Sequence, residues 1–241
     1  MTNRMTQRPR VAPVVLAALL TVGPHLNAMT VRYSPEARTA LSAEARSAIE
    51  QIATAAEMDA RGLLPQLSRD VVLVVEVGRN VPEQTGETGA SIAPGTIRWT
   101  VNHELPQGVT AIANAHLRPT LFHEFHHLAR GWLISGGAPY TSFMDGVVAE
   151  GLATAFERDA AHRPAPWGDY PPEVAAWVKE LLALPITARY DQWMFQHPDG
   201  RRWIGYKAGT YIADQAMKAS GKSAAELVTV PTGEVLRLAG F

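Results

Sequence analysis

The stretch LFHEFHHLAR, residues 121–130, decides what this chain can be. It contains His123, Glu124 and His127 in the spacing H-E-x-x-H. Positions i and i+4 of a helix lie one turn apart on the same face, so both imidazoles can reach one metal ion. Glu124 lies about 100 degrees round the helix from His123, near enough to hold a water on that metal without ligating the metal. The pattern therefore predicts a helix that carries a hydrolytic zinc site.

The residues on either side of this stretch favour a helix of limited length. Proline is preferred at the first helical position and glycine just after the last, which are the places of Pro119 and Gly131. We therefore expect a helix from Pro119 to about Arg130. His126 would lie on the neighbouring face of that helix, where we expect a structural or supporting role rather than metal ligation.

A hydrolytic zinc ion needs a third protein ligand beside the two histidines. The chain has no cysteine, so only His, Asp and Glu remain as strong candidates. Glu150, in the segment VVAEGLATAF, follows His127 by 23 residues and lies on a predicted helix that could run back alongside the first. Asp145, expected in a loop, and Glu157, seven residues after Glu150, are the nearest alternatives. We expect Glu150 to complete a His2Glu site.

The rest of the chain has its strands early and its helices late. A capping serine followed by proline and glutamate, residues 34–36, starts a helix that should run to about Arg61. The apolar segment 70–77 predicts a buried strand, the alternating TIRWTV at 96–101 a half-exposed one, and 78–94 a loop between them. Further helices are expected at about 146–161, 172–184, 205–219 and 223–228. This order predicts an α+β fold with a small mixed N-terminal sheet, a mostly helical C-terminal half and the active-site helix between them.

Three segments, HEFHH, AEGLA and WIGYKAGTYIADQ, together resemble a bacterial family of zinc-dependent proteases known only as a domain of unknown function. The resemblance covers roughly residues 60–240. It implies a zincin-like fold and ligation of the gluzincin type, in which His123, His127 and Glu150 hold one zinc ion and Glu124 is the general base.

The resemblance has one departure from the better-known gluzincins such as thermolysin. There, an acidic residue four positions after the ligand glutamate orients a histidine, whereas this chain has Thr154 at that position. Support for the ligand histidines must then come from another group. Glu157, Asp145 and backbone carbonyls are the candidates.

The expected reaction is hydrolysis of a peptide bond. Zinc would lower the pKa of a water toward neutrality, and Glu124 would take its proton and pass it to the leaving amine. A further donor is wanted for the tetrahedral oxyanion. Tyr206 is the preferred candidate, with Tyr211 and His197 as alternatives. The two tyrosines are five residues apart, about 140 degrees on a helix, so both cannot face one small site.

Two further features suggest how the site is built and how it meets its substrate. Gly205 and Gly209 are one turn apart and would let their helix approach the zinc helix closely. The strand TIRWTV shortly precedes the zinc helix, and an exposed strand edge can pair with a peptide backbone. We therefore expect the substrate to lie along residues 96–101.

The N-terminal residues 1–28 are typical of a secretory signal or an extension. Arg4, Arg8 and Arg10 precede an apolar run at 11–22, which is too short to anchor the chain in a bilayer. We therefore expect a single metallopeptidase domain over 29–241 that is periplasmic or secreted, without stable membrane insertion. If Met29 is the true start, the protein would instead be cytoplasmic.

Composition narrows the possible partners. The 22 basic and 23 acidic residues give a formal net charge of -1, and no block of like charges offers a surface for nucleic acid. A peptide or protein is the expected substrate. Two alternatives to a zinc hydrolase stay open: a non-catalytic metal- or peptide-binding module on the same fold, and a helical protein in which the histidines are structural. A zinc hydrolase acting on some other amide also stays open, because H-E-x-x-H fixes the water and not the substrate.

Overall fold

The computed structural model describes residues 29–134 and 140–241. The leader predicted for residues 1–28 lies outside these ranges. Within them, no helix combines the length and apolar character needed to cross a membrane.

The N-terminal part forms a four-stranded mixed sheet with two helices. Its strands are β1 Thr30–Tyr33, β2 Val72–Val77, β3 Glu87–Ala93 and β4 Thr96–Val101, and its helices are α1 Pro35–Ala40 and α2 Ala43–Leu63. The strand order is β1-β2-β4-β3. β1, β2 and β4 are parallel, and β3 runs antiparallel to β4. β3 therefore lies at one edge of the sheet.

The remainder of the described chain is helical. Its helices are α3 Gly108–Ile112, a π-helical turn Ala113–Leu117, α4 Arg118–Arg130, α5 Phe143–Ala161, α6 Val174–Leu182, α7 Tyr190–Met194, α8 Ile204–Ser220, α9 Ala224–Leu227 and α10 Thr232–Leu238. The predicted α+β class, with the mixed sheet first and the helices after it, is confirmed. β1, α3, α7 and α10 were not predicted.

The expected loop at 78–94 is wrong in its second half, which is strand β3. Gly89 and Ala90 have low strand propensity, so the local sequence does not indicate a strand. The segment is a strand because it pairs with β4, where Gly89 lies opposite Trp99 and Ser91 opposite Ile97. The edge of the sheet is therefore β3 and not β4. β4 has β2 on one side and β3 on the other, so the prediction that a substrate pairs with residues 96–101 is also wrong.

Two predicted helices have different limits in the structure. The helix expected over 35–61 is divided at Leu41, and the Ser42 hydroxyl accepts a hydrogen bond from the Ala45 amide to start α2. The zinc helix α4 ends at a left-handed Gly131 as predicted and has Pro119 in its first turn, but the helical path does not begin there, because it is continuous from Gly108. Proline has no N–H to donate, and the wide π-turn just before it accommodates that missing bond.

α5 occupies the centre of the helical half, packed against both α4 and α8. Gly151 of α5 and Gly209 of α8 face each other so closely that a Cβ on Gly209 would overlap the carbonyl oxygen of Val147. Gly205 makes room for the Met194 side chain instead. The glycine surface of α8 therefore packs on α5. The prediction that it packs on the zinc helix α4 is wrong. This contact holds α5 in place against α4.

Candidate metal centre

Two adjacent helices bring three ligand-type atoms together. His123 and His127 come from α4 and Glu150 from α5. The Nε2 atoms of the two histidines are 3.0 Å apart, and the Glu150 Oε2 atom lies 3.1 Å from His123 Nε2 and 3.2 Å from His127 Nε2. All three side chains are buried. The three atoms thus form a nearly equilateral triangle.

This triangle fits a small divalent cation. Tetrahedral zinc with bonds of about 2.0–2.1 Å separates its ligand atoms by about 3.4 Å, slightly more than the observed edges. Two imidazole Nε2 atoms that face each other can share only one proton between them, so a cation satisfies this donor set better than hydrogen bonds do. The residues therefore fit a zinc ion.

The protonation of the histidines and the ionisation of Glu150 depend on each other. Burial alone would lower the pKa of His123, but its hydrogen bonds to Glu150 and Glu157 outweigh burial and hold this pKa well above its ordinary value. Burial likewise opposes ionisation of Glu150, and the neighbouring His127 charge and histidine hydrogen bonds outweigh it and lower the pKa. Without a metal the site therefore stabilises an imidazolium beside a carboxylate, and a metal ion must displace that proton to bind.

Glu157 supports His123 from the other side of the ring. It lies two turns after Glu150 on α5, and its Oε2 atom is 3.2 Å from His123 Nδ1. Glu157 is thus one of the two carboxylates proposed to compensate for Thr154, whose buried hydroxyl has no partner within the described part of the chain. Asp145 is in a helix rather than a loop, and its carboxylate accepts from the amides of Thr141 and Ser142 ahead of α5. Asp145 therefore contributes no atom to the triangle and has no hydrogen bond to its histidines in the described part of the chain.

The motif glutamate is held by the edge strand. The Ser91 hydroxyl of β3 donates to Glu124 Oε2 at 2.8 Å, and both side chains are buried. Gly89 packs directly beside the Glu124 side chain, where a Cβ would come within 2.9 Å of Cγ. One Glu124 oxygen and one nitrogen from each of His123 and His127 all lie within 4.8 Å of one another. Glu124 is thus next to the triangle, with one oxygen fixed by Ser91.

The sequence comparison agrees with this geometry. The family model described as "Predicted Zn-dependent protease (DUF2268)" matches residues 46–237. The chain belongs to this family. The match confirms the resemblance noted from the HEFHH, AEGLA and WIGYKAGTYIADQ segments, and the family description supports zinc and proteolysis at that coarse level. No curated protein and no solved structure shows a significant match.

A buried carboxyl group, that of Glu87, lies on the same face of β3 as Ser91. Glu87 accepts hydrogen bonds from Trp99 Nε1 at 2.6 Å and from the Thr120 hydroxyl at 3.1 Å. Burial raises the pKa of Glu87 to about 8, against the opposing effect of these two bonds, and the nearby charges of Glu157 and Glu124 raise it further. Glu87 therefore ties β3 to both β4 and α4.

A cleft lined by Gly89, His123 and Glu124 opens beside the triangle, and of the three predicted oxyanion donors only Tyr206 lines it. The Tyr206 and His123 ring centroids are 6.5 Å apart. Burial and the charge of Glu150 raise the Tyr206 pKa well above its ordinary value, so the hydroxyl keeps its proton near neutrality.

The other two predicted donors are engaged elsewhere. Tyr211 packs against Tyr170 and Phe241. His197 Nδ1 pairs with Asp199 at 2.8 Å, and neither His197 nor Tyr211 lines the cleft.

The expectation for His126 agrees with its position. The residue is fully buried, and its Nε2 atom lies 3.2 Å from the Ala224 carbonyl oxygen. It therefore links α4 to α9 and contributes no atom to the triangle.

Three contacts of the site were missed by the sequence analysis. Ser91 and Glu87 come from a segment expected to be a loop, and Tyr190 from an unpredicted short helix. The Tyr190 hydroxyl donates to Glu150 Oε1 at 3.3 Å. The alternation of Glu87, Gly89 and Ser91 along β3 is a signal that could have placed them on one strand face. Nothing local indicates Tyr190.

Proposed function

We propose that the protein is a peptidase with a zincin-like fold that binds one zinc ion through His123, His127 and Glu150 and uses Glu124 as general base. The observation that carries the proposal is the 3.0–3.2 Å triangle of histidine nitrogens and carboxylate oxygen with the Glu124 carboxylate beside it. Membership of a family described as zinc-dependent proteases supports it. The leader-like residues 1–28 support action outside the cytoplasm.

Each residue then has a defined task. A zinc ion held by His123, His127 and Glu150 would supply Lewis acidity for a water and for the substrate carbonyl. Glu124 accepts the proton of the attacking water through the oxygen not held by Ser91 and later gives it to the leaving amine. Tyr206, protonated at neutral pH, can donate to the oxyanion. Glu157 accepts from His123 Nδ1–H, which leaves the Nε2 lone pair directed into the triangle.

The peptide substrate is placed along β3 in this proposal. The Ser91 carbonyl accepts from the Ile134 amide, outside the sheet, at 3.0 Å. Because peptide groups alternate direction along a strand, those of Gly89 also point away from β4. Gly89 lies against Glu124. A substrate strand paired with β3 at this point would pass its backbone directly by the general base.

The decisive experiment is Glu124→Gln, with zinc content and peptide cleavage measured on the same preparation. We expect the variant to retain one zinc ion and to lose turnover by about 10²–10⁴-fold, because an amide cannot accept the proton. Exposed Glu173→Gln is the matched control and should change neither quantity.

Other outcomes would favour the two alternatives. Zinc bound by a wild-type protein that cleaves no member of a broad peptide library would favour a non-catalytic binding module. A wild-type protein that binds no zinc even after reconstitution would overturn the proposal and leave the histidines as structural.

A further inference from the structure

The cleft beside His123 has an aromatic wall, of which the proposed chemistry uses only the Tyr206 hydroxyl. The wall consists of Trp167, Phe195, Trp203 and Tyr206. Tyr206 lies 6.5 Å from both the His123 and the Trp167 ring, 6.2 Å separate Phe195 from Tyr206, and 6.3 Å separate Trp167 from Trp203. The rings therefore form a connected surface that begins at the metal centre and extends outward.

Apart from the general base Glu124, the carboxyl groups that line the same cleft already have partners. The Glu87 carboxyl is bonded to Trp99 and Thr120, and Glu157 is bonded to His123. The ring of Phe195, in contrast, is 46% exposed. A substrate group in this part of the cleft would therefore meet apolar ring surface rather than a free charge.

Trp203 is held on this wall at a conformational cost. Its backbone is left-handed, with φ 55° and ψ 37°, at the N-terminal cap of α8. A bulky residue rarely adopts this conformation, and its side chain makes no capping hydrogen bond here. Glycine would suit the backbone better. Strained residues of this kind concentrate at binding and catalytic sites, which indicates that the indole itself is needed in the cleft.

We propose that Trp203, Phe195 and Trp167 form a specificity site for a large apolar, above all aromatic, side chain of the peptide substrate next to the scissile bond. This inference rests on the proposed peptidase function. A basic side chain is the competing occupant, since aromatic faces attract cations. The Arg202 guanidinium already lies 4.4 Å over the Trp203 ring, and Glu87 and Glu157 are already hydrogen-bonded, so the apolar occupant fits better.

The test compares Trp203→Gly with the wild type on fluorogenic peptides that carry Phe, Leu, Ala, Lys or Asp at each position beside the scissile bond. We expect wild-type kcat/KM at one position to be about 10–100-fold higher for Phe than for Ala. Trp203→Gly keeps the left-handed backbone and should reduce this ratio to within about threefold. His162→Gly, at the other left-handed non-glycine residue of the described chain, should leave the ratio unchanged.

Phe195→Ala provides a second variant that does not depend on the folding of the first, because its ring is half exposed. We expect it to lower the Phe-to-Ala ratio as well. An unchanged ratio in both variants, or a wild-type preference for Lys or Asp at every position, would overturn the specificity site.

Failure of the peptidase proposal would be seen separately. If the wild type binds zinc but cleaves none of these peptides, calorimetric titration of the same peptides into the zinc-loaded Glu124→Gln protein still decides the preference. Tighter binding of the Phe peptide, weakened by Trp203→Gly, supports the site, and equal affinities for the Phe and Ala peptides overturn it.

Discussion

α4 has two neighbours at the site, and they present different chemistry to it. On the α5 side, Glu150 and Glu157 hold both ring nitrogens of His123 with buried carboxylates. On the β3 side, Ser91 contacts Glu124 and Glu87 contacts Thr120. The α5 side thus supplies negative charge to the imidazoles, and the β3 side supplies neutral contacts to the base. Metal binding and turnover should therefore be separable by mutation.

The two neighbours are also held in place differently. α5 is buried along most of its length and is packed on α8 through Gly151 and Gly209. β3 is an edge strand, rich in small residues, that pairs only with β4 among the described strands. The ligand side therefore depends on helix packing, and the base side on one strand pairing and a few side-chain bonds.

The largest expected effect is the loss of metal from the α5 side in Glu150→Gln. Replacing the buried carboxylate by a neutral amide removes the negative ligand. Loss of a residue that only supports a ligand lowers metal affinity by up to about 100-fold, so we expect loss of the ligand itself to lower zinc affinity by more than about 100-fold. Activity should fall with it. Chelator competition followed by metal analysis measures the change. If the zinc affinity equals that of the wild type, Glu150 is not a ligand and another carboxylate is the third ligand.

Next comes the packing that holds α5. In Gly209→Ala the new methyl group would overlap the Val147 carbonyl oxygen and crowd Gly151. We expect a loss of about 3 kcal/mol in the free energy of unfolding by urea, the upper end for overpacking. Gly62→Ala is the control, since Gly62 lies in α2 with open space around it. This control should stabilise the protein by about 0.5–1 kcal/mol. Equal stabilities would show that α5 and α8 separate readily.

A smaller effect, confined to turnover, is expected on the β3 side for Ser91→Ala. The variant loses a hydrogen bond to a charged carboxylate, and we expect kcat to fall by about 10-fold while KM and zinc content stay unchanged. Thr85→Val removes another buried hydroxyl, one that donates to the Glu87 carbonyl, and should leave kcat unchanged. If Ser91→Ala loses zinc instead, the two sides of α4 are not separable.

The effect expected to matter least for turnover is the pH dependence of stability contributed by Glu87. Folding raises its pKa from 4.5 to about 8 through burial, so its contribution to stability is complete below about 4.5 and is lost as the pH rises to about 8. Glu87→Gln keeps an acceptor for Trp99 and does not titrate. We expect the wild type to lose about 1 kcal/mol or more relative to the variant between about pH 5 and about pH 9, in urea unfolding of the zinc-free protein. Parallel pH profiles would contradict the raised pKa.

Sequence reasoning was most successful where the relevant residues are close along the chain. The i,i+4 spacing of His123 and His127 places both rings on one side of α4 in any helix, and Glu150 and Glu157 share a face of α5 for the same reason. It was wrong where a segment takes its structure from a neighbour. β3 is a strand because β4 pairs with it, and α8 meets α5 because two glycines remove the side chains between them.

Local periodicity was enough to predict the helix with His123, Glu124 and His127, the α+β order of elements and the helix that carries Glu150. The contacts of Ser91 with Glu124, the edge position of β3 and the choice of Tyr206 over Tyr211 at the cleft depend instead on how the elements pack. The Ser91–Glu124 bond spans 33 residues of sequence. Contacts of this range depend on how whole elements pack, which no local pattern encodes.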